Sequence, residues 1–194
     1  MTKKIGLTGG IGSGKSFIAG VLLKMGYPVF FSDDFSKDIA NTNVEVRQKL
    51  IALFGAEVYI DGALNRPFLA KMIFENEENR LKVNSIIHPK VRQGFEDWAN
   101  RQTSEIVFNE AAIFFETGGH KALDATILVT APLSLRIARV QQRDGVAERE
   151  VMARIEKQWS DEQKIPLADF VIENDEKTPL LHQLELMLSN IGVM

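Results

Sequence analysis

The sequence predicts an α/β fold, a parallel sheet of about five strands between layers of helix. Three observations predict it. The first is a glycine-rich segment, Gly9-Gly10-Ile11-Gly12-Ser13-Gly14-Lys15-Ser16, set between a short apolar run and an apolar helical pattern. The second is a series of short apolar runs at 27–31, 105–108, 125–129 and 170–172 that alternate with helical periodicity, the pattern of a parallel sheet. The third is the stretch 35–104, which is mostly helical in period and too long for a simple crossover. It reads as an inserted helical region. The division expected is a core of 1–34 and 105–194 with an insertion at about 35–104.

The elements follow in order. Lys3-Lys4-Ile5-Gly6-Leu7-Thr8 suits a buried strand, and Phe17 to Met25 reads as a helix stopped near Gly26. Tyr27-Pro28-Val29-Phe30-Phe31 is a strand that ends in Ser32-Asp33-Asp34. Within the insertion, apolar residues recur at helical spacing: Val46, Leu50, Leu53 and Phe54, then Phe68, Leu69, Met72 and Ile73, then Leu81, Ile86 and Ile87, then Val91, Phe95 and Trp98. Turn signals fall at Asp61-Gly62 and His88-Pro89. Glu105 to Phe108 and Ala125 to Val129 are strands. Helices are expected over 134–143, ending at Asp144-Gly145, and over 147–159. A last short strand, Phe170-Val171-Ile172, precedes a terminal helix opened by Thr178-Pro179 and running through Leu188.

Composition narrows the function. The chain has 194 residues, 45% hydrophobic and 25% charged, an ordinary balance for one sizeable domain with an insertion. Its net charge of −3 disfavours a general nucleic-acid binder. There are no cysteines, which rules out disulfides and thiolate metal sites. No apolar run reaches membrane-spanning length. Lys3-Lys4 leads directly into the glycine segment, so a cleavable signal is not expected there. A cytoplasmic protein with no membrane partner is the expectation.

The glycine segment matches G-x-x-x-x-G-K-[ST], the phosphate-binding loop. Glycines let the backbone curl so that successive N–H groups point at phosphate oxygens. The helix that follows adds its unsatisfied N-terminal donors. Lys15 would neutralise β- and γ-phosphate charge, and Ser16 would offer its hydroxyl to Mg²⁺. Asp33, at the carboxyl end of the second strand, is the candidate base for an acceptor hydroxyl. Asp34 is its rival, and either carboxylate could simply cap the next helix. Arg136, Arg139 and Arg143 share a helix face by spacing, with Arg149 and Arg154 beyond the Gly145 turn. They could clamp a transferring phosphoryl group or form a solvated face paired with Asp144, Glu148 and Glu150. His88-Pro89 with Arg92 fits either a substrate contact or a helix-start turn. No second histidine lies close to it in sequence, so a metal site is not expected there. Glu110 and Glu116 could hold Mg²⁺ through water, or serve as capping or surface carboxylates.

Taken together, these residues resemble the dephospho-CoA kinase family. The resemblance rests on Leu7 to Ser16; on Asp33, which matches the last aspartate of that family's Asp-x-Asp element; and on Asn65-Arg66, Asn84 and Ile87-His88-Pro89-x-Val91-Arg92. It continues in Ala112-Ile113-Phe114-Phe115-Glu116, in Arg139-x-x-x-Arg143-Asp144, and in Arg154-Ile155-x-x-Gln158, Lys164 and Ala168-Asp169-x-Val171-Ile172-x-Asn174. The chain departs from the family pattern at Phe31, where the first aspartate would stand, at Ala112 in place of proline, and at Phe17 where threonine is common.

The resemblance implies a phosphate-loop kinase fold with a helical substrate insertion and an arginine lid at about 139–158. It implies ATP and Mg²⁺ as cofactors and dephospho-CoA as substrate, phosphorylated at its ribose 3′-hydroxyl to give coenzyme A and ADP. Gly9, Gly10, Gly12, Ser13, Gly14, Lys15, Ser16 and Phe17 would cradle the phosphates, with Asn174 near the adenine. Asp33 would act as base, Lys15, Arg139 and Arg143 would stabilise the transferring charge, and Arg66, Asn84, His88 and Arg92 would face the substrate. A phosphate-loop kinase for a nucleoside monophosphate or another small metabolite is the alternative. A GTPase-like switch is a third class, but the chain has neither Asp-x-x-Gly after a strand nor Asn-Lys-x-Asp.

Overall fold

A computed structural model describes residues 2–192. They form two compact units, one of residues 2–31 with 99–192, the other Ser32–Trp98.

The first unit is built on a five-stranded, wholly parallel sheet. Its strands are β1 (Lys3–Gly9), β2 (Val29–Phe31), β5 (Ile106–Glu110), β6 (Ala125–Thr130) and β7 (Phe170–Glu173), in the order β2-β5-β1-β6-β7. Apolar runs rather than alternation mark these strands because both faces are covered, as parallel sheets require. One face presents Ile5 and Leu7 of β1, Ile106 and Phe108 of β5, Ile127 and Val129 of β6 and Ile172 of β7. Against it pack Ile18, Ala19 and Leu22 of α1 (Lys15–Lys24) and Leu184, Met187, Leu188 and Ile191 of α9 (Leu180–Ile191). The opposite face carries Val107 and Leu128, both fully buried. Gly6 also lies on it, where a Cβ would collide with Leu123.

Phe108 of β5 lies on the first face, with no exposed surface, its ring edge-on to Tyr27 at 5.7 Å. Phe108→Ala should cost about 3–5 kcal/mol of stability through lost transfer energy and the cavity left behind. A denaturant titration checks this; a midpoint close to wild type would show that the sheet face closes over the gap.

The strand order explains where a site can form. The chain leaves β1 toward β2 on one side and leaves β5 toward β6 on the other. The crevice at the carboxyl ends of β1 and β5 is therefore the topological switch point. On the far side of β1, β6 leads into α6 (Leu133–Asp144), closed by Gly145 in the left-handed region, then α7 (Glu148–Ile155). A one-turn helix, α8 (Asp161–Lys164), is started by a capping box between Ser160 and Gln163.

The second unit has its own core of Ile39, Val46, Leu50, Val58, Leu69, Val83 and Ile87. It comprises α2 (Ser32–Thr42), α3 (Val44–Phe54), α4 (Arg66–Glu75) and most of α5 (Glu77–Ala99), with a small antiparallel hairpin of β3 (Tyr59–Ile60) and β4 (Ala63–Leu64). Asn43 and Asn65 start α3 and α4, each side chain accepting from the backbone N–H three residues on. The hairpin turns on Asp61 and Gly62, both with positive φ, which is the turn that this dipeptide signals.

Three expectations need correction. His88-Pro89 is not a turn or a helix start, because α5 runs through it. A proline inside a helix forfeits one backbone bond; Val83 and Ile87, buried on the turns just before it, hold the helix in place. The helix expected over 147–159 stops at Ile155, and residues 161–164 form the separate turn of α8. The terminal helix begins after Pro179, which serves as its N-cap, and extends to Ile191, closed by Gly192.

Candidate active site

The phosphate loop bridges β1 and α1 at the switch point. Gly9 ends the strand, and Lys15 and Ser16 begin the helix. Between them, Ser13 N–H donates to the Gly10 carbonyl, closing a turn whose third residue, Gly12, has φ 78°. Only glycine takes that conformation without strain. A Cβ at Gly12 would also strike the backbone of Arg136, and one at Gly14, with φ 93°, would strike the Asn174 amide. Sequence and packing therefore demand glycine at both positions for separate reasons.

Glu110 closes β5 in register with Leu7 of β1 and with Phe31 of β2. Its carboxylate is almost fully buried and lies 3.1 Å from Lys15 Nζ and 3.2 Å from Ser16 Oγ. The sequence offered Glu110 and Glu116 as equal alternatives for a metal. The structure separates them, because Glu116 pairs instead with the buried Lys164 at 2.9 Å. A hydroxyl beside a buried carboxylate is a hard-oxygen donor pair, and it suits magnesium, which takes one or two protein oxygens and completes its shell with phosphate and water. Glu110 ends a strand and Glu116 does not, but only the pairing of β5 with β1 sets that strand end beside the loop.

A cleft is lined by Gly10, Gly12, Gly14, Lys15, Ser16, Phe17, Arg139, Val140 and Arg143. Phe17 is largely exposed at its edge. Arg139 reaches across the loop: its guanidinium lies 3.4 Å from the Gly12 and Ser13 carbonyls and 3.0 Å from the Asn174 carbonyl and Glu176. Asn174 Nδ2 donates to the Ser13 carbonyl at 2.8 Å. Arg143 lines the same cleft but bonds to Asp144, which also receives Arg154. The two arginines, with Arg143 first, hold the Asp144 carboxyl below its ordinary range.

Arg136 corrects the reading of the helix face. Helical spacing groups it with Arg139 and Arg143, yet it is buried, with Nε donating to the Ile11 carbonyl at 2.9 Å. Gln158 and Asp161, which sequence reasoning gave no role at the loop, approach the same place. Nothing in local spacing signals those long-range contacts.

In the helical unit, Asp33 lies exposed in the first turn of α2, two residues beyond the end of β2. Asp34 is also within that turn rather than capping it, and pairs with Lys37 at 2.6 Å. Asn84, His88 and Arg92 follow at four-residue intervals along α5, and so share one face of that helix. Burial lowers the pKa of His88; Arg92 adds to the effect and Asp33 opposes it. Arg66 opens α4 and is exposed.

A parallel sheet with this strand order, a glycine loop at its switch point and a lysine and serine opening the following helix defines a phosphate-loop nucleotide-binding enzyme of the kinase type. The dephospho-CoA kinase family model matches residues 3–179. A Bacteroides fragilis dephospho-CoA kinase is 42% identical, the match covering 95% of this chain and 90% of that protein. One from Salinibacter ruber is 40% identical over 88% of each. Among solved structures, a Thermus thermophilus protein superposes with a TM-score of 0.85 at 35% identity, covering 98% of this chain and 96% of that one. A Campylobacter jejuni dephospho-CoA kinase shares the fold, with a TM-score of 0.71 at 23% identity and coverage of 99% and 98%. The chain belongs to the dephospho-CoA kinase family.

Proposed function

We propose that this chain carries out the family's reaction, transfer of the γ-phosphoryl group of ATP to dephospho-CoA, with the following division of labour. Gly9 to Phe17 cradle the triphosphate through backbone N–H groups and the start of α1. Lys15 moves from Glu110 to the β- and γ-phosphates when nucleotide enters. Ser16 and Glu110 hold Mg²⁺. Mg²⁺ held there would supply charge neutralisation for the triphosphate during transfer. Arg139 and Arg143, at the start of a lid spanning about 139–158, close on the transferring charge, and Asn174 lies toward the adenine. Asp33 orients the ribose 3′-hydroxyl and takes its proton as phosphoryl transfer proceeds. The helical unit, through Arg66, Asn84, His88 and Arg92, holds the acceptor.

The observation that carries this reading is the Glu110 contact. A buried carboxylate at the switch point touches both the lysine and the serine of the loop, so the two groups that would meet the triphosphate and its metal are prearranged around one anchor. Cytoplasmic residence is part of the proposal; no helix among the described residues is long and apolar enough to cross a membrane.

Incubation with ATP, Mg²⁺ and dephospho-CoA, adenosine or a nucleoside monophosphate in parallel, followed by mass spectrometry, tests it. The expected result is ADP and coenzyme A from the first acceptor. Conversion of the monophosphate with dephospho-CoA untouched would instead place the chain with the small-acceptor kinases.

A further inference from the structure

We infer that Gln158 and Arg136 are positioning residues that hold the tip of the phosphate loop, Ile11, in its nucleotide-receiving conformation before nucleotide arrives, with Asp161 holding Arg136. The inference rests on the phosphate-loop reading of the site and concerns how that loop is kept in shape.

Both polar backbone groups of Ile11 are engaged by side chains remote in sequence. The Ile11 N–H donates to Gln158 Oε1 at 2.8 Å, and its carbonyl accepts from Arg136 Nε at 2.9 Å. These grips come from two elements, the α6 helix and the segment after α7. Ile11 is the second residue of the turn closed by Ser13 N–H on the Gly10 carbonyl. Fixing its two peptide groups therefore fixes the turn itself. Arg136 also fills the space above Gly10, where any side chain would strike its guanidinium.

The grips are themselves anchored. Arg136 lies 3.4 Å from the Asp161 carboxylate, and Asp161 is the first residue of the α8 turn, which the Ser160–Gln163 box pins. Three residues on, Lys164 is fully buried against Glu116, whose carboxylate also accepts from the Trp159 N–H. The segment from Gln158 to Lys164 is thus tied at both ends and presents Gln158 from a firm base.

The physical need is specific. A phosphate loop points its N–H groups inward together, an arrangement that is unfavourable without an anion and that a glycine-rich chain readily leaves. If the loop relaxed, nucleotide binding would have to reorder it at the expense of affinity. Side chains that grip the loop from outside, leaving the inward N–H groups free, remove that cost. Gln158 does this with an acceptor for an N–H and Arg136 with a donor for a carbonyl, so neither competes for the phosphate.

The test compares ligands with and without the outer phosphates. In the wild-type chain ATP should bind much more tightly than AMP. Gln158→Met, of similar length but lacking the acceptor, should weaken ATP binding about tenfold, the size expected when a partly buried donor loses its partner. AMP affinity and the melting temperature should stay near wild type. Gln158→Glu, which keeps an acceptor, should recover part of the loss, and Asp161→Asn should move ATP affinity in the same direction by a smaller factor. Equal loss for ATP and AMP would make Gln158 a general structural residue and overturn the inference. So would unchanged ATP affinity in a folded Gln158→Met. Hydrogen exchange on the wild-type chain gives an answer independent of how the variants fold. The Ile11 amide should be protected without nucleotide, and free exchange there would also overturn the inference. Failure of wild type to prefer ATP over AMP would instead count against the phosphate-loop reading itself.

Discussion

Lys15→Ala should abolish phosphoryl transfer while leaving the fold intact. Lys15 is the loop lysine, directly after the left-handed Gly14, and it sits 3.1 Å from the buried Glu110 carboxylate. In the transition state of phosphoryl transfer, charge spreads over the γ-phosphoryl oxygens, and catalysis depends on fixed positive charge more than on covalent chemistry. Removing one such donor typically costs 10²–10³-fold in kcat. The loss should be on the order of 10²-fold or more here, measured by coupled ADP release at saturating ATP. The side chain also balances Glu110, so some loss of stability is expected, and thermal melting separates that from the kinetic effect. A correctly folded variant turning over near the wild-type rate would remove the phosphate-loop assignment.

Asp33→Asn should lower kcat by about 10²–10⁴-fold, the range for loss of a general base, with much less effect on ATP binding. Asp34→Asn should be mild. Both carboxylates are exposed in the first turn of α2 and both gain from its N-terminal dipole, so position on the helix does not separate them. Their partners do: Asp34 is engaged with Lys37, an exposed pair three residues apart of the kind worth well under 1 kcal/mol. Asp33 is the aspartate that matches the family pattern, and it is the carboxylate felt by His88. Steady-state kinetics on the two variants, with nucleotide affinity measured separately, decides. If Asp34→Asn proves the crippling change, the base is one residue later than assigned.

Much of this protein was legible because its key signals are local. The phosphate loop is contiguous, and its chemistry depends on backbone curl, which glycines announce. The parallel sheet was legible because strands buried on both faces read as unbroken apolar runs, as Ile127-Leu128-Val129 does. The Asp61-Gly62 turn was legible because few residues accept positive φ. Pro89 misled for the opposite reason. Its local cost is one lost backbone bond, and burial of Val83 and Ile87 outweighs that, a balance no window of sequence displays.

The sequence by itself determined the α/β class, the phosphate loop with its lysine and serine, and the family, since each rests on residues adjacent along the chain or on a pattern spread over most of it. Tertiary structure alone decided which carboxylate accompanies Lys15 and Ser16, because Glu110 meets them only when β5 pairs beside β1. It alone separated Arg136 from Arg139 and Arg143, since three arginines on one helix face become different groups once one of them is buried against Ile11. It also brought Gln158 to the loop, 147 residues from Ile11 in sequence. Side-chain partners at such separations are selected by packing and by the cost of burying an unpaired polar group, and neither is a property of any short stretch of chain.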